Sequence, residues 1–182
     1  MKYVRTLFEK SNDIEYGCLM LYLGLNNLDW IKTLNSFINR DDLGYDGFLE
    51  LEPHITILYG FHEDTSIVNK VRNYLSDVDL VELKNDIKLK GLSLFENEQD
   101  ILKISIESEK LTNLNSLFRD NFEYTNNFPE YKAHISLAYL KKGSGKKYTK
   151  DDELLDRLKS LYDDSELYAV YSDKNQKKDI FL

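Results

Sequence analysis

A six-residue pattern occurs twice in this chain, and the two copies are 80 positions apart. Residues 54–59 read His-Ile-Thr-Ile-Leu-Tyr, and residues 134–139 read His-Ile-Ser-Leu-Ala-Tyr. The copies share the histidine, the isoleucine after it, a hydroxyl residue two positions later and the last tyrosine. The surrounding helix, loop and strand patterns also match. The repeat therefore indicates a divergent internal duplication, with two lobes related by a pseudo-twofold axis.

Each copy has the apolar alternation of a β-strand. Successive side chains of a strand point to opposite faces, so His54 and Thr56 share one face, and His134 and Ser136 share the equivalent face. The aliphatic residues between them are expected to point onto helices. Each motif strand thus presents one imidazole and one hydroxyl on the face that lacks large aliphatic side chains.

The remaining hydrophobic pattern changes period several times along the chain. Apolar residues at helical spacing predict helices at 29–39, 65–76, 109–122 and 151–162. Alternating or continuous apolar runs predict strands at 16–24, 49–60, 86–95, 101–107, 131–140 and 165–172. The expected fold class is α+β, with largely antiparallel sheets that line a central cleft and helices on the outside. We expect one bilobal domain over 1–182, with its lobes at about 16–80 and 86–172.

Composition excludes several classes of protein. The chain has 182 residues with 24 Lys and Arg against 32 Asp and Glu, and this net charge of −8 disfavours long nucleic acid as a partner. Its one cysteine, Cys18, rules out an internal disulfide and a Cys-based zinc cluster. The apolar runs are short for a bilayer, and the N-terminus, which begins with residues 1–5, has no apolar h-region of a secretory signal. We therefore expect a cytoplasmic protein without a membrane partner, and a monomer is favoured.

Two imidazoles and two hydroxyls that converge on one cleft suit the chemistry of a phosphodiester. One histidine removes a proton from the attacking oxygen while the other protonates the leaving oxygen. The Thr56 and Ser136 hydroxyls donate to nonbridging phosphoryl oxygens. No cofactor is required, and two histidines without a third ligand at useful spacing make a poor metal site. A single histidine in an apolar strand is usually structural, so it is the repetition that favours catalysis.

The two motifs, His-Ile-Thr-Ile and His-Ile-Ser-Leu, resemble the paired H-x-[ST]-x motifs of the 2H phosphoesterase superfamily. That superfamily includes 2′-5′ RNA ligase-like proteins and cyclic phosphodiesterases. The resemblance implies that His54 and His134 are the catalytic acid and base and that Thr56 and Ser136 bind phosphate. It also implies an enzyme, a phosphodiesterase that needs no metal.

The sequence around the motifs, at 52–60 and 131–140, looks like that of phage-encoded members. One such branch, the anti-CBASS nucleases, degrades the cyclic oligonucleotide messengers of bacterial antiviral defence. This likeness implies a small cyclic nucleotide as substrate, and the host cytoplasm as location if the gene is viral.

Two other functions stay open at this point. The first is RNA end processing, at a 2′,3′-cyclic phosphate or a 2′-5′ linkage. A long basic track would favour it, and the net charge of −8 disfavours such a track. The second is a nucleotide-sequestering protein that does not cleave its ligand, which the intact histidine pair disfavours. The nucleophile is either water or the ribose 2′-hydroxyl of the substrate.

Residues 141–150 contain five lysines and two glycines and predict a mobile basic loop. The loop is either a solvated run of charge or a basic lid that draws an anionic nucleotide to the cleft. Its candidate substrate-binding residues are Lys141, Lys142, Lys146, Lys147 and Tyr148. Tyr59 and Tyr139 are further candidates for stacking on a base. The third histidine, His62, has no hydroxyl partner and is predicted to be a loop residue.

Overall fold

The computed structural model describes residues 16–24, 27–62, 64–173, 175 and 177–181. The predictions for residues 1–5 and for Leu182 lie outside these ranges. Two 3₁₀ turns, Arg40–Asp42 and Gly145–Lys150, join longer elements. The strands in the described ranges are β1 (Gly17–Leu23), β2 (His54–Phe61), β3 (Lys88–Glu96), β4 (Asp100–Glu107), β5 (His134–Leu140), β6 (Leu167–Ser172) and β7 (Lys178–Phe181). The helices are α1 (Asn27–Phe37), α2 (Ile67–Leu75), α3 (Leu80–Asp86), α4 (Glu109–Asn121) and α5 (Asp152–Asp163).

All seven strands form one antiparallel sheet in the order β3-β4-β5-β2-β1-β6-β7. The two motif strands, β2 and β5, are neighbours at its centre. Outward from this pair, β1 and β4 occupy equivalent positions, as do β6 and β3. The predicted α+β fold with antiparallel pairing is confirmed. The last strand of each half lies in the other half of the sheet. β3 follows β2 in the chain but pairs with β4, and β6 follows β5 but pairs with β1.

The core lies between one face of the sheet and the helices. Ile55 and Ile135 are fully buried there with helix residues such as Leu34, Phe118 and Leu158. The inward direction predicted for the motif aliphatics is therefore confirmed. The opposite face of the sheet carries a smaller apolar cluster, made by Cys18, Met20, Tyr22 and Val170.

Local signals set where the helices begin. The Ser108 hydroxyl accepts a hydrogen bond from the Leu111 amide at the start of α4, and the Asp151 carboxylate accepts one from the Leu154 amide at the start of α5. Such caps satisfy amide groups that have no partner within the helix. In the described residues, no helix is long and apolar enough to cross a bilayer.

Both motif strands begin later than predicted, at the histidine itself. Pro53, which has no amide proton, stands directly before β2, where it cannot donate to a strand ladder. The segment before it bonds to β5 instead, through the Glu50 amide to the Leu137 carbonyl at 2.8 Å and the Tyr139 amide to the Phe48 carbonyl at 2.8 Å. Two short elements, α3 and β7, were missing from the prediction because each buries too few apolar residues to show a periodic pattern.

Candidate active site

The two motif strands pair antiparallel, with Ile55 opposite Ile135. In this register His54 lies across from Ser136, and Thr56 lies across from His134. All four side chains are half-buried, whereas the isoleucines between them are fully buried. The four predicted groups therefore form one patch on the face of the sheet opposite the core, here called the motif face. They converge as neighbours within one sheet.

Both histidines make the same backbone contact. His54 Nδ1 lies 2.8 Å from the carbonyl oxygen of Glu52, and His134 Nδ1 lies 2.7 Å from that of Lys132. A carbonyl oxygen only accepts, so Nδ1 carries the proton in each ring. The other nitrogen, Nε2, is then the atom that can take up or release a proton toward a ligand.

Two aromatic side chains stack beside His54, on the flank of the patch away from β5. The Tyr22 ring stacks on the imidazole with centroids 5.3 Å apart, and Tyr168 stacks on Tyr22 at 5.7 Å. Lys178 Nζ lies 4.9 Å from the centroid of Tyr22 and 2.6 Å from a carboxylate oxygen of Glu52. The cation on this flank of the patch is thus paired with an acid.

The surroundings of His134 favour its neutral form. The Phe95 ring and the imidazole pack edge to face, with their centroids 4.9 Å apart. Burial lowers the pKa of His134, and the positive charges of Lys103 and His54 lower it further, against the opposing effect of the Lys132 carbonyl. A neutral imidazole whose Nε2 carries a lone pair can accept a proton.

A matching irregularity occurs in both motif strands. Thr56 pairs with Met20 and Leu58 with Leu19, so Ile57 is skipped, and Leu137 is skipped in the same way between Ser136 and Ala138. Each extra residue is a β-bulge that shifts the following side chains to the other face. Tyr59 and Tyr139 consequently lie on the motif face, at equivalent positions.

The motif hydroxyls have neutral partners. The Thr56 hydroxyl lies beside the Cys18 thiol, and the Ser136 hydroxyl lies beside the Tyr139 phenol. Burial raises the pKa of both partner groups to about 12, so the thiol and the phenol stay protonated at neutral pH. Phe48 stacks on Tyr139 at a centroid distance of 4.2 Å.

The lysine-rich segment lies away from this patch. It follows the far end of β5, about 20 Å along the strand from His134 at ~3.3 Å per residue. The predicted mobility is wrong, because residues 145–150 form a 3₁₀ turn and the amides of Gly143 and Gly145 each donate to the Asp100 carboxylate at 2.9 Å. Asp100 is buried and anchors the turn.

Four of the five candidate side chains of this segment are already engaged. Tyr148 is buried, accepts from the Asn39 amide and donates to the Asp42 carboxylate, so it offers no ring face to a base. Lys147 pairs with Asp42 at 2.6 Å and Lys146 with Glu96 at 3.7 Å, while Lys141 donates to the Asp41 carbonyl at 2.6 Å. Lys142 is exposed on the same turn. The structure does not bring these residues to the motif histidines.

The third histidine also lies outside the patch. His62 follows β2 and is exposed, with Nε2 2.8 Å from the Thr125 hydroxyl and its ring stacked on Tyr16. It occupies the loop position that its lack of a hydroxyl partner predicts. Within the described residues, no three His, Cys, Asp or Glu side chains are grouped so as to hold a metal ion.

This chain was compared with solved structures, and some of them have a similar arrangement of strands and helices. The fold is similar to that of Kluyveromyces marxianus Usb1. The TM-score is 0.53 at 12% identity, and the match covers 91% of this chain and 97% of Usb1. A structure of the same Usb1 with uridine monophosphate matches with a TM-score of 0.48 at 13% identity, over 91% and 97% of the two chains. No protein-family model and no curated protein matches the sequence.

The Usb1-like sheet also brings residues to the motif face that sequence reasoning missed. Phe95 flanks His134, and Lys103 lies beside Ser136. One sequence signal could have found Lys103. The alternation of Ile101, Lys103 and Ser105 places the lysine and the serine on one face of β4. The face itself is not apparent from sequence, because it depends on which strand pairs with β4.

Proposed function

We propose that this chain is a metal-independent phosphodiesterase of the 2H phosphoesterase superfamily that acts on the phosphodiester at an RNA end. The bond is a 2′,3′-cyclic phosphate or a 2′-5′ linkage. The observation that carries the proposal is the register of β2 and β5, with two imidazoles and two hydroxyls in one patch. The Usb1-like fold supports it at the level of architecture.

In this mechanism His134 is the base. Its lowered pKa keeps the ring neutral, and its Nε2 removes the proton of the attacking oxygen, which belongs to water or to a ribose 2′-hydroxyl. The attacking oxygen bonds to phosphorus as the bond to the leaving oxygen breaks. His54, protonated, then delivers its Nε2 proton to the leaving oxygen.

The motif hydroxyls stabilise the charge on the phosphoryl group. Thr56 and Ser136 each donate to a nonbridging oxygen, since the register of β2 and β5 places both hydroxyls beside the histidines. Their strands are paired in the sheet, so the backbone holds both donors in place before the substrate binds.

The position of the lysine-rich segment favours an RNA end over a small cyclic messenger. A small messenger that must be enclosed would need a lid over the patch. The lysine-rich segment does not form one, because it is anchored at the far end of β5. The motif face is a sheet surface that the end of a chain can approach. The net charge of −8 favours short substrates, so a cyclic oligonucleotide is the second candidate.

A turnover assay with a substrate panel in the presence of EDTA tests the proposal. The panel holds short oligoribonucleotides with a 2′,3′-cyclic phosphate end, the same oligonucleotides with a cis-diol end, uridine 2′,3′-cyclic monophosphate, and cyclic di- and trinucleotides. We expect turnover of RNA ends and no loss of rate with EDTA.

The panel also separates the alternatives. Cleavage of cyclic oligonucleotides without cleavage of RNA ends would establish the second candidate. Tight binding of a panel member without turnover would establish a sequestering protein. Loss of the activity with EDTA and rescue by zinc would contradict the two-histidine mechanism.

A further inference from the structure

Lys103 is a buried lysine on the motif face. Its exposure is 7%, and in the ladder of β4 and β5 it is the partner of Ser136. Lysines are almost never this buried unless they are paired with an opposite charge. Among the residues that the structure describes, no carboxylate forms an ion pair with Lys103, whereas the more exposed Lys90 and Lys110 each have one.

Two serine hydroxyls hold the ammonium group in place. Lys103 Nζ donates to Ser93 Oγ at 2.8 Å and to Ser105 Oγ at 3.2 Å, and the two serine oxygens are 2.7 Å apart. The Phe95 ring centroid lies 4.4 Å from Nζ. We refer to Lys103, Ser93 and Ser105 as the lysine–serine cluster.

This cluster has more donors than acceptors. The ammonium group carries three protons and each hydroxyl carries one, and the three internal hydrogen bonds use three of these five. One ammonium proton and one hydroxyl proton have no acceptor among the described residues. Unused donors beside a buried cation are the features of a site for an oxyanion.

The cluster borders the catalytic patch on the side away from β2. In the ladder Ser105 is the partner of His134, as Lys103 is of Ser136, and Phe95 contacts both the ammonium and the His134 imidazole. A phosphate held by the motif hydroxyls therefore lies next to the cluster.

The two flanks of the patch differ in charge. Lys178 and Lys103 each lie over an aromatic ring that contacts a motif histidine, but only Lys178 has a carboxylate, that of Glu52 at 2.6 Å. An anion is thus favoured on the β4 side. The asymmetry gives a substrate one preferred orientation across a patch that is otherwise nearly symmetric.

We propose that the lysine–serine cluster is an anion subsite that binds a nonbridging phosphate oxygen of the substrate beside His134. The identity of the anion as substrate rests on the proposed function. The ability to bind phosphate does not, because it requires no turnover. Since the cation is buried, solvent and salt screen it less than they screen a surface lysine.

The probe is inorganic phosphate, titrated against chloride at constant ionic strength. The readout is NMR of the backbone amides of Ser93 and Ser105 and of the His134 ring protons. Wild-type protein is expected to show saturable shifts at these positions. Lys103→Met is expected to bind phosphate about tenfold to a hundredfold more weakly, the usual effect of losing a charged hydrogen bond.

Lys84→Met is the matched control. Lys84 is also a lysine over an aromatic ring, that of Tyr162 at 5.5 Å, and it donates to the carbonyl of Asp163 at 2.9 Å, but it lies in α3 on the helix side. The Lys84→Met protein should bind phosphate with the wild-type affinity. The amide spectra of both variants report whether they fold, and the double variant Ser93→Ala/Ser105→Ala, which keeps the lysine, should also weaken binding.

Two results would overturn the proposal. One is a wild-type protein whose Ser93, Ser105 and His134 signals do not respond to phosphate. The other is an unchanged phosphate affinity in folded Lys103→Met. The proposed function would fail on a different result, namely continued RNA-end turnover in the histidine variants. The anion subsite does not depend on that result, because a His134→Ala protein that has lost turnover should still bind phosphate.

Discussion

The proton on Nδ1 of each motif histidine is fixed by one backbone carbonyl, two residues earlier in the chain. That contact directs both Nε2 atoms to the motif face. Replacing either ring removes one of the two imidazoles that the proposed mechanism uses as proton carriers.

We therefore expect His54→Ala and His134→Ala each to lower kcat by about 10²-fold to 10⁴-fold, the usual contribution of general acid–base catalysis. His62→Ala is the control, since that histidine lies in a loop outside the patch. Steady-state kinetics on the best substrate of the panel, with circular dichroism to verify folding, makes the comparison. Near wild-type rates in either motif variant would falsify the mechanism.

The pH dependence of kcat/KM follows from the environment of His134. A base must be neutral to act, and burial lowers the pKa of this group from its ordinary value of 6.5. Activity should consequently persist below pH 6.5 and fall only as the pH drops through the lowered pKa. A pH–rate profile measures this acid limb, and an acid limb above pH 6.5 would assign the base role to another group.

The phosphate-binding role of the hydroxyls is testable by small substitutions. Ser136→Ala removes one donor and leaves the strand intact, so kcat should fall by about 10²-fold to 10³-fold, the range for a lost oxyanion donor. Ser136→Thr keeps the hydroxyl and should retain most of the rate. A loss confined to KM in the alanine variant would mean that the hydroxyl binds ground state and transition state equally.

At the scale of elements, the 3₁₀ turn at Gly145–Lys150 is part of the core. The Tyr148 hydroxyl bonds both the Asp42 carboxylate and the Asn39 amide, and the ring is buried. Tyr148→Phe leaves the Asn39 amide without this acceptor, so the free energy of unfolding should fall by about 1–3 kcal/mol. Urea denaturation measures the change.

The same variant should show an unchanged KM, since the turn lies at the far end of β5 from His134. A raised KM with unchanged stability would restore the lid that the lysines first suggested. Lys147, which shares the Asp42 carboxylate, would then have to leave its ion pair to reach a substrate.

Sequence periodicity was sufficient for the elements that bury a regular face. The hairpin of β3 and β4 and the amphipathic helix α4 lie within a few residues of their predicted bounds. The four motif residues were found because an exact repeat of spacing is itself a signal. Tyr59 and Tyr139 could be placed on the motif face only from the structure, because each bulge breaks the alternation on which strand predictions depend. The position of Lys103 beside Ser136 could not be predicted, because it depends on the long-range pairing of β4 with β5, which no local sequence pattern shows.

At the scale of the whole molecule, the net charge of −8 restricts which nucleic acids compete for the site. A polymer brings many phosphates near an acidic surface, whereas a short oligonucleotide brings few. We expect kcat/KM for a short RNA with a reactive end to equal or exceed that for a long RNA with the same end. Long RNA that lacks a reactive end should inhibit weakly, and strong inhibition by it at physiological salt would reveal a basic track.

The exchange of β3 and β6 between the halves of the sheet has a consequence for how such a chain can arise. One copy of the repeat, on its own, would have a third strand with no neighbour to join. Two separate copies that traded those strands would rebuild the six inner strands and bring their two histidines together on the symmetry axis. A strand-swapped homodimer with both motif histidines in one patch is therefore a viable ancestor, and gene fusion would turn it into a single chain whose halves can diverge.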